Sequence, residues 1–247
     1  MNAAAPVITV PAFASARSGV RHFFGTRGHA ASFALEVGTP ARGVRGAARS
    51  FWMLSVKQVH GTEVLVVDRP VGAGDRFDGG WDALVTDQPH IMVAVRTADC
   101  VPVLVHDARR RVVAAIHAGW RGTVAGIVPK TLALMRTRFG SEGDDLCVSI
   151  GPSAGVCCYE VDAPVLDPIR RSAVVLDAVL RDQRGDRARL DLKALIRQQA
   201  VGYGVPAEQI TAVNLCTLCH EDLFFSYRRE GKVIGTMVSA IGLAPAS

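Results

Sequence analysis

The chain has 247 residues, of which 49% are hydrophobic and 21% are charged, a balance that excludes a largely disordered protein. The formal net charge is +5, and the basic excess is scattered over arginines. This mildly favours anionic ligands such as phosphate and gives only weak support to nucleic-acid binding. No segment has the roughly 20 uninterrupted apolar residues that a membrane-spanning helix needs.

The N-terminal sequence and the cysteine content bear on the compartment. The first residues lack a basic region and prolines break their apolar run, which predicts mature protein rather than a signal peptide. Six cysteines in a chain of this length, without an export signal, indicate thiols or metal ligands rather than a disulfide framework. We therefore expect a cytoplasmic protein.

Short apolar runs in the first part of the chain predict strands or strand-like segments. They cover residues 7–10, 20–24, 51–56, 62–67, 82–86 and 91–96, whereas 29–50 has no assignable pattern. His60 belongs to the polar stretch KQVHG between two of these runs. The sequence therefore places His60 at a strand end or in a hairpin loop.

The pattern of residues 97–123 indicates the centre of the fold. It predicts a strand, a polar turn, a second strand and then a loop that contains glycines. β-Branched residues are dense at 101–105 and 112–116, on either side of the polar stretch DARR. With the turn tip at residues 108 and 109, Cys100 faces His117 on one side of the hairpin, with Cβ atoms roughly 5 Å apart. At that distance the two side chains can bind one metal ion or form a thiolate–imidazole pair.

The segment after His117 predicts a helix over 124–139 that ends at Gly140. Pro129 means either that this helix kinks or that it begins later, with the proline in its first turn. Free backbone N–H groups at the helix start, with Arg121 beside them, predict an anion site next to the cysteine and histidine.

The rest of the chain mixes strands and helices without a repeating βαβ pattern, which predicts one mixed α/β domain. Strands are expected at 147–150, 210–215, 224–228 and 233–241, helices near 163–181 and 191–201, and a surface loop at 182–189. Asp191 is the expected N-cap of the second helix, and Gly202 or Gly204 is its stop.

Three side chains stand apart as candidates for chemistry: His60, Cys100 and His117. Two imidazoles and a thiolate with an open fourth position suit a catalytic zinc ion. The alternative is that each is an ordinary residue at a strand end. The spacing in the sequence gives no reason to place His60 beside the other two. The histidines at positions 22, 29, 90 and 106 have no evident partners and are expected to be structural or exposed.

The sequence Cys216-Thr217-Leu218-Cys219-His220 allows several interpretations. It could be a haem-attachment motif, a redox pair, or half of a four-cysteine zinc site completed by Cys157 and Cys158. Adjacent cysteines are not the usual spacing for such a site, so structural thiols are the favoured interpretation. The pair Arg228-Arg229 could bind an anion or form a solvated strand end.

Six motifs occur in the order seen in a known family: KQVHG, DALVTD, TADCVPVLVHD, AAIHAGWRGT, IGPSAGVCCYEVD and CTLCHEDLFFSYRREG. From about residue 57 to 241 the chain resembles the laccase-domain proteins. These were formerly named multicopper polyphenol oxidases and are now regarded as zinc-containing purine nucleoside phosphorylases. The resemblance implies one laccase-type domain over residues 1–247, with 1–50 its poorly assigned part. The implied fold is an α/β/β/α sandwich like the cysteine-hydrolase-like toxin domains.

The resemblance also implies an activity and a site. The activity is phosphorolysis of purine nucleosides such as adenosine, inosine, guanosine and methylthioadenosine, with adenosine deamination as a side activity. The implied ligands of the zinc ion are His60, Cys100 and His117, and Asp99 is a candidate for acid/base or supporting work. The remaining implied residues bind phosphate, namely Gly119, Arg121 and an N-terminal arginine, Arg45 or Arg49, of which Arg49 is our choice.

Rival functions remain open at this point. Copper oxidation of phenols needs more clustered histidines than the seven scattered ones supply. A metal-free hydrolase could use Cys100 as nucleophile and His117 as its base on an amide substrate. A protein-interaction role without catalysis is the fourth option. The expected partners are a purine nucleoside and phosphate, without nucleic acid or membrane, and the oligomeric state is not predicted.

Overall fold

A computed structural model describes residues 7–13, 19–30, 51–72, 75–172 and 174–244, with the side chains of 29 and 30 excepted. The strands of these residues are β1 (Val7–Ile8), β2 (Val20–Gly25), β3 (Trp52–Leu54), β4 (Val64–Val67), β5 (Ala83–Thr86), β6 (Ile91–Thr97), β7 (Val101–Asp107), β8 (Val112–Ala118), β9 (Leu146–Ile150), β10 (Glu160–Val161), β11 (Leu180–Arg184), β12 (Arg187–Leu190), β13 (Ile210–Ala212) and β14 (Met237–Leu243). The α-helices are α1 (Arg27–Ala30), α2 (Trp120–Val124), α3 (Ile127–Phe139), α4 (Ala163–Arg170), α5 (Leu176–Val179), α6 (Leu192–Tyr203) and α7 (Tyr227–Glu230).

The strands form three sheets, which confirms the mixed α/β class. The largest sheet has six strands in the order β13-β9-β7-β8-β5-β4, so the predicted hairpin β7–β8 lies at its centre. A five-stranded sheet has the order β1-β2-β14-β6-β3, and a small sheet has the order β10-β12-β11. No helix in the described part of the chain combines the length and the apolar character needed to cross a bilayer.

The six-stranded sheet is covered on both faces, which explains why its central strands consist almost entirely of apolar residues. Along β7, Leu104 points toward the five-stranded sheet and Val103 and Val105 point toward the helices. The core between the two sheets includes Leu84, Leu104, Ala115, Val93, Val95 and Ile241. The core on the helical side includes Val85, Val103, Val105, Ile116, Leu132, Met135, Leu195 and Ile196.

The predicted hairpin forms, but its predicted register is wrong by two residues. Asp107 pairs with Val112, so the turn contains four residues, 108–111. The Asp107 carboxylate accepts hydrogen bonds from the N–H groups of Arg109 and Arg110, both at 2.9 Å, and Arg111 has a left-handed φ of 55°. These local bonds stabilise a wider turn than the two-residue tip that the sequence suggested.

The register error leaves the predicted faces intact. His117 pairs with Pro102 rather than facing Cys100 directly. Because side chains alternate with a period of two, a shift of two residues returns each one to the same side of the sheet. Cys100 therefore lies diagonal to His117 on one face, still within reach of its ring.

The long helix after the hairpin, α3, begins at residue 127 rather than at 124. This is the second of the two alternatives for Pro129, in which the helix begins later and the proline lies in its first turn. Gly126, with a left-handed φ of 86°, separates α2 from α3, and Pro129 lies in the first turn of α3. Gly140 ends α3 with a φ of 73°. Asp191 caps α6 by accepting a hydrogen bond from the Ala194 N–H at 2.9 Å, as predicted.

Three predictions in the C-terminal half were wrong. The segment 163–181 is two short helices, α4 and α5, rather than one. The expected loop at 182–189 is mostly the hairpin β11–β12, because positive φ angles at Asp182 and Gly185 allow a tight reversal. The expected strand at 224–228 turns into α7, because the Ser226 hydroxyl accepts a hydrogen bond from the Arg229 N–H and caps a helix there.

Candidate functional site

Three side chains distant in sequence meet at one end of the six-stranded sheet. Cys100 directly precedes β7 and His117 is the last residue but one of β8, so both lie at the same end of the hairpin. His60 reaches them from the loop between β3 and β4, and its ring centroid lies 4.7 Å from that of His117. One ligand atom from each of the three residues lies within 4.8 Å of the others. The structure thus brings the three predicted residues together, and their role as ligands stays a prediction.

The loop carrying His60 does not form a hairpin, because β3 and β4 belong to different sheets. His60 has a left-handed φ of 60°, a conformation that a non-glycine residue adopts only when its surroundings stabilise it. The stabilising group is the carboxylate of Asp82. It accepts hydrogen bonds from the N–H of His60 at 2.9 Å and from the N–H of Gly61 at 2.7 Å.

Asp82 also orients His117, and it is a functional residue that sequence reasoning missed. Its side chain is fully buried, and Oδ1 lies 2.7 Å from His117 Nδ1. A carboxylate can only accept, so Nδ1 carries the proton and Nε2 is left to face the centre. The available signal was an aspartate directly before a buried strand in DALVTD, but nothing in its spacing connected it to His117.

Electrostatic interactions inside the centre shift the pKa values of its groups. Burial alone would raise the pKa of the Cys100 thiol, but hydrogen bonds from His117 and His60 lower it to about 7. Burial alone would lower the pKa of His117, but its hydrogen bonds to Asp82 and Cys100 raise it to about 9. Without a bound cation, these shifts favour a thiolate next to an imidazolium at neutral pH.

Glycines allow the surrounding backbone to approach the centre closely. A Cβ atom on Gly119 would lie 3.0 Å from the Cys100 sulfur and 3.1 Å from Cδ2 of His60. A Cβ atom on Gly122 would lie 2.7 Å from the carbonyl oxygen of Gly61. The start of α2 therefore packs against both the His60 loop and Cys100 because these two positions have no side chain.

The centre opens into a pocket of about 820 Å³, a volume in the range of small-molecule sites. Aromatic and cationic side chains line it together with the centre itself. The aromatic ones are Trp120, Tyr159 and Tyr227, and the cationic ones are Lys57, Arg96 and Arg228. Burial, together with the negative charges of Cys100 and Asp99, raises the pKa of Tyr159 to about 12, so its hydroxyl stays protonated.

Asp99 lines the same pocket and has both carboxylate oxygens in use. Oδ1 accepts a hydrogen bond from the Thr217 hydroxyl at 2.5 Å, and Oδ2 accepts one from the Arg228 N–H at 2.8 Å. The Arg228 guanidinium lies 5.5 Å from the centre of the Tyr159 ring. Asp99, the residue before Cys100, is therefore bonded to the loop that carries Thr217 and to Arg228 on the pocket wall.

The predicted anion-binding residues have different positions. Gly119 lies against the centre, whereas Arg121 lies over the ring of Trp120, with its guanidinium 4.4 Å from the ring centre. Arg45 and Arg49 lie outside the described residues. Of the pair at 228 and 229, only Arg228 lines the pocket, because Arg229 donates instead to the carbonyl oxygens of Thr217 and Phe224.

The remaining histidines with described side chains lie apart from the centre. His22 accepts a hydrogen bond from the Val10 N–H at 2.9 Å, and His106 is buried in the strand β7. Burial lowers the pKa of each to about 4. These two are therefore structural, as expected, whereas the side chain of His29 lies outside the described part of the chain.

Comparison with known proteins identifies the family. The family model described as multi-copper polyphenol oxidoreductase laccase matches residues 41–244. The chain belongs to this laccase family. The match confirms the resemblance drawn from the six motifs and extends it upstream of residue 57.

Individual relatives of this laccase-family chain have names that refer to nucleosides. A protein of Bacteroides thetaiotaomicron named purine nucleoside phosphorylase is 40% identical over 163 residues, which are 66% of this chain and 60% of that protein. This chain thus matches less than two thirds of that relative. A protein named adenosine deaminase RL5, from an unknown prokaryotic organism, is 37% identical over 181 residues, 71% of this chain and 69% of its own length.

A solved structure confirms the fold over nearly the whole length of the chain. The crystal structure of YlmD from Geobacillus stearothermophilus superposes with a TM-score of 0.78 at 29% sequence identity. The superposition covers 99% of this chain and 98% of the other. The mixed α/β arrangement of several sheets is therefore a property of the family.

Proposed function

We propose that this protein is a zinc-dependent purine nucleoside phosphorylase, a glycosyltransferase that releases the purine base and leaves ribose 1-phosphate. The observation that carries the proposal is the meeting of His60, Cys100 and His117 at the wall of a pocket large enough for a nucleoside and phosphate. The names of the relatives support a nucleoside substrate. Adenosine, inosine, guanosine and methylthioadenosine are the substrates we expect.

The donor set fits a zinc ion. Two imidazoles and one thiol are typical zinc ligands, and three protein ligands leave one coordination position open for catalysis. The buried Asp82 fixes the tautomer of His117 so that Nε2 faces Cys100, an arrangement that recurs beside zinc-bound histidines. When bound, the ion supplies a positive charge that attracts and orients phosphate. Copper is the alternative metal for the same three residues.

The chain's own cationic groups would position phosphate beside C1′ of the ribose. Positive charge develops on the sugar as the glycosidic bond breaks, so an anion held in line stabilises the transition state. We assign this task to Arg121 and the backbone at Gly119, with Lys57 and Arg228 on the pocket wall in support. Arg49 is part of the proposal through the family resemblance alone.

Aromatic rings on the pocket wall suit a purine. Trp120, Tyr159 and Tyr227 offer flat apolar faces, and Tyr159 keeps a hydroxyl proton to donate at neutral pH. We assign Asp99 to positioning rather than to proton transfer, because Thr217 and Arg228 already occupy its two oxygens. Its proposed effect is to fix the backbone that carries Cys100.

Further parts of the proposal rest on the family. Adenosine deamination is a proposed side activity, supported by the relative named adenosine deaminase.

We infer that residues 1–247 form one laccase-type domain and that its layers follow the α/β/β/α sandwich of cysteine-hydrolase-like toxin domains. The two facing sheets, with helices on the outer side of the six-stranded sheet, support three of those four layers. A reducing compartment such as the cytoplasm is proposed because all six cysteines are free thiols.

The deciding experiment measures products with and without phosphate. Purified protein of known zinc content is incubated with inosine, adenosine and methylthioadenosine, and base, nucleoside and ribose 1-phosphate are separated by chromatography. We expect base release that requires phosphate and is lost in Cys100→Ala but kept in Cys147→Ala, a matched control on β9 outside the centre. Equal base release without phosphate would contradict phosphorolysis, and conversion of adenosine to inosine alone would leave only the deaminase.

A second candidate, a metal-free cysteine hydrolase, is favoured by one specific observation. Asp82, His117 and Cys100 form a carboxylate–imidazole–thiol series like that of cysteine proteases. The second imidazole, that of His60, has no part in such a mechanism, which is why phosphorolysis ranks first. Full activity after chelation, with loss of activity on thiol alkylation, would favour the hydrolase.

A further inference from the structure

Four of the six cysteines form a second cluster, on two loops that adjoin the pocket. Cys157 and Cys158 lie between β9 and β10, and Cys216 and Cys219 lie between β13 and α7. The Cys219 sulfur is 3.6 Å from that of Cys157 and 3.4 Å from that of Cys158. All four sulfur atoms lie within 4.8 Å of one another, and none forms a disulfide.

The spacing of the sulfur atoms matches the requirements of a tetrahedral metal site. A zinc ion bonds thiolate sulfur at about 2.3 Å, which places the sulfurs of a regular tetrahedron roughly 3.8 Å apart. The distances of 3.4 and 3.6 Å and the upper bound of 4.8 Å bracket that value. Vicinal cysteines, an unusual spacing in sequence, are thus brought into position by the fold of the loops.

The backbone around the cluster is shaped to leave room for it. The N–H of Gly155 donates a hydrogen bond to the Cys216 sulfur at 3.3 Å. A Cβ atom on Gly155 would lie 3.1 Å from Cβ of Cys216 and 3.2 Å from the sulfur of Cys157. Only glycine combines this donor with the absence of a side chain that would press on two of the four cysteines.

Nearby cations would balance the charge of four thiolates. A zinc ion with four thiolate ligands has a net charge of about −2. Lys193 is buried, and its Nζ donates to the carbonyl oxygens of Val213 and Leu215, the latter directly before Cys216. A guanidinium nitrogen of Arg189 donates to the carbonyl oxygen of Cys157. The charge of Lys193 lies close enough to interact with Cys216 and Cys157, as well as with Asp191.

We propose that Cys157, Cys158, Cys216 and Cys219 bind one zinc ion as a closed, four-thiolate structural site, separate from the centre in the pocket. Unlike the proposed catalytic centre, it has a full protein ligand set, so no position remains for a substrate. The site joins the loop after β9 to the loop after β13.

The proposed site has a consequence for the pocket. Thr217, between two of the cysteines, donates its hydroxyl to Asp99, the residue next to Cys100. The metal would therefore fix the loop that positions Asp99 and, through it, the backbone at the proposed catalytic centre. Disulfide formation among the same cysteines is the competing outcome, and the test below distinguishes it.

The test measures zinc content in the full chain. Protein from zinc-supplemented cells is expected to contain about two zinc ions per chain, and Cys100→Ala about one. In the Cys100→Ala background, X-ray absorption should then show four sulfur neighbours at about 2.3 Å and no imidazole. Adding Cys219→Ser should remove this zinc, whereas adding Cys147→Ser as the matched control should not.

Other outcomes overturn the proposal. These are a Cys100→Ala protein without zinc, a Cys219→Ser protein that keeps the full zinc content of the wild type, or disulfides among the four cysteines in unreduced, freshly purified protein. Should Cys219→Ser not fold, titration of the Cys100→Ala protein with an organic mercurial answers the same question. Zinc release in step with modification of four thiols supports the site, and thiol modification without zinc release contradicts it. Because the Cys100→Ala background lacks the proposed catalytic ligand, these results do not depend on the proposed function.

Discussion

The two groups of potential metal ligands differ in how the protein holds them. In the centre of His60, Cys100 and His117, the last two residues lie at the ends of two strands in the middle of the largest sheet, and the buried Asp82 holds both His117 and the loop of His60. The cluster of Cys157, Cys158, Cys216 and Cys219 lies on two loops. Strands therefore support two of the three residues of the first group, whereas loops carry all four residues of the second.

This difference matches a catalytic role for the first group and a structural role for the second. A site with an open position needs ligands that are already in place before substrate arrives, because misplacement weakens orientation of the reacting groups. A closed site can be assembled by the metal itself, since the binding energy contributes to ordering the loops. We therefore expect substitutions in the two groups to have opposite patterns, with loss of activity at the first and loss of order at the second.

The largest effect is expected from removing a ligand of the first centre. His117→Ala should lower the phosphate-dependent release of base by about 10³-fold or more, because both metal and charge stabilisation are lost. The protein should also lose about one zinc ion while keeping its fold by circular dichroism. Wild-type turnover in a His117→Ala protein freed of zinc would show that the centre is not the active site.

A smaller effect is expected from the carboxylate that orients this centre. Asp82→Asn keeps the shape but removes the charge that fixes the His117 tautomer, so zinc affinity should fall by about 10- to 100-fold. Competition with a chromogenic chelator measures this directly. Asp107→Asn is the matched control, because Asp107 is also fully buried but, among the described residues, accepts its hydrogen bonds from the hairpin turn rather than from the centre. Equal zinc affinities for the two variants would contradict the assigned role.

The connection between the two groups can be tested at Thr217. Thr217→Val removes the hydrogen bond to Asp99, and a bond to a charged group is worth about 1.5–3 kcal/mol, so kcat/KM should fall by roughly 10- to 150-fold. Zinc content should stay unchanged, and Thr217→Ser should restore activity because it keeps the hydroxyl. Failure of the serine variant to recover activity would indicate a packing role instead.

The smallest effect at neutral pH is expected at His106, a buried histidine that has neither a metal partner nor a carboxylate like that of His117. Burial lowers its pKa to about 4, although the charge of Asp107 opposes this, and its Nε2 lacks a hydrogen-bond partner among the described residues. Between pH 6.5 and 4 the unfolded chain therefore binds a proton that the folded chain does not. The contribution to stability is present above pH 6.5 and declines as the pH falls toward 4.

His106→Leu should remove this dependence. The slope of the free energy of unfolding against pH should therefore fall by about 1.4 kcal/mol per pH unit between pH 6.5 and 4. Urea unfolding at a series of pH values measures the slope. Part of the slope should remain, since burial also lowers the pKa of His22 to about 4. An unchanged slope in His106→Leu would contradict the assignment.

The sequence was sufficient for features that depend on local chemistry. The β-branched runs around DARR predicted the hairpin, and Asp191 predicted the start of α6. Pro129 left two alternatives for α3, of which the later start is the one observed. The sequence was insufficient where several local arrangements were possible or where distant groups decide the structure. The width of the hairpin turn is set by the hydrogen bonds of the Asp107 carboxylate to residues 109 and 110. The two-residue period of the strands kept Cys100 and His117 on one face although the predicted register was wrong.

The candidate site shows the same limit. Strand pairing in the hairpin predicted that Cys100 and His117 lie on one face. Sequence spacing could not predict that His60 lies beside them, because its loop connects strands of two different sheets. The family resemblance supplied that residue. The role of Asp82 needed the fold itself, because His117 lies far away in sequence. The four-cysteine grouping was one of the interpretations of the sequence, and the structure brings the four sulfur atoms together although adjacent cysteines are not the usual spacing.

The most direct test of the central claim is anomalous diffraction at the zinc absorption edge from crystals of the full chain. We predict a peak within about 2.0–2.3 Å of the ligand atoms of His60, Cys100 and His117, with a second peak among the four cysteines. A well-ordered crystal of zinc-loaded protein with no peak shared by His60, Cys100 and His117 would contradict it.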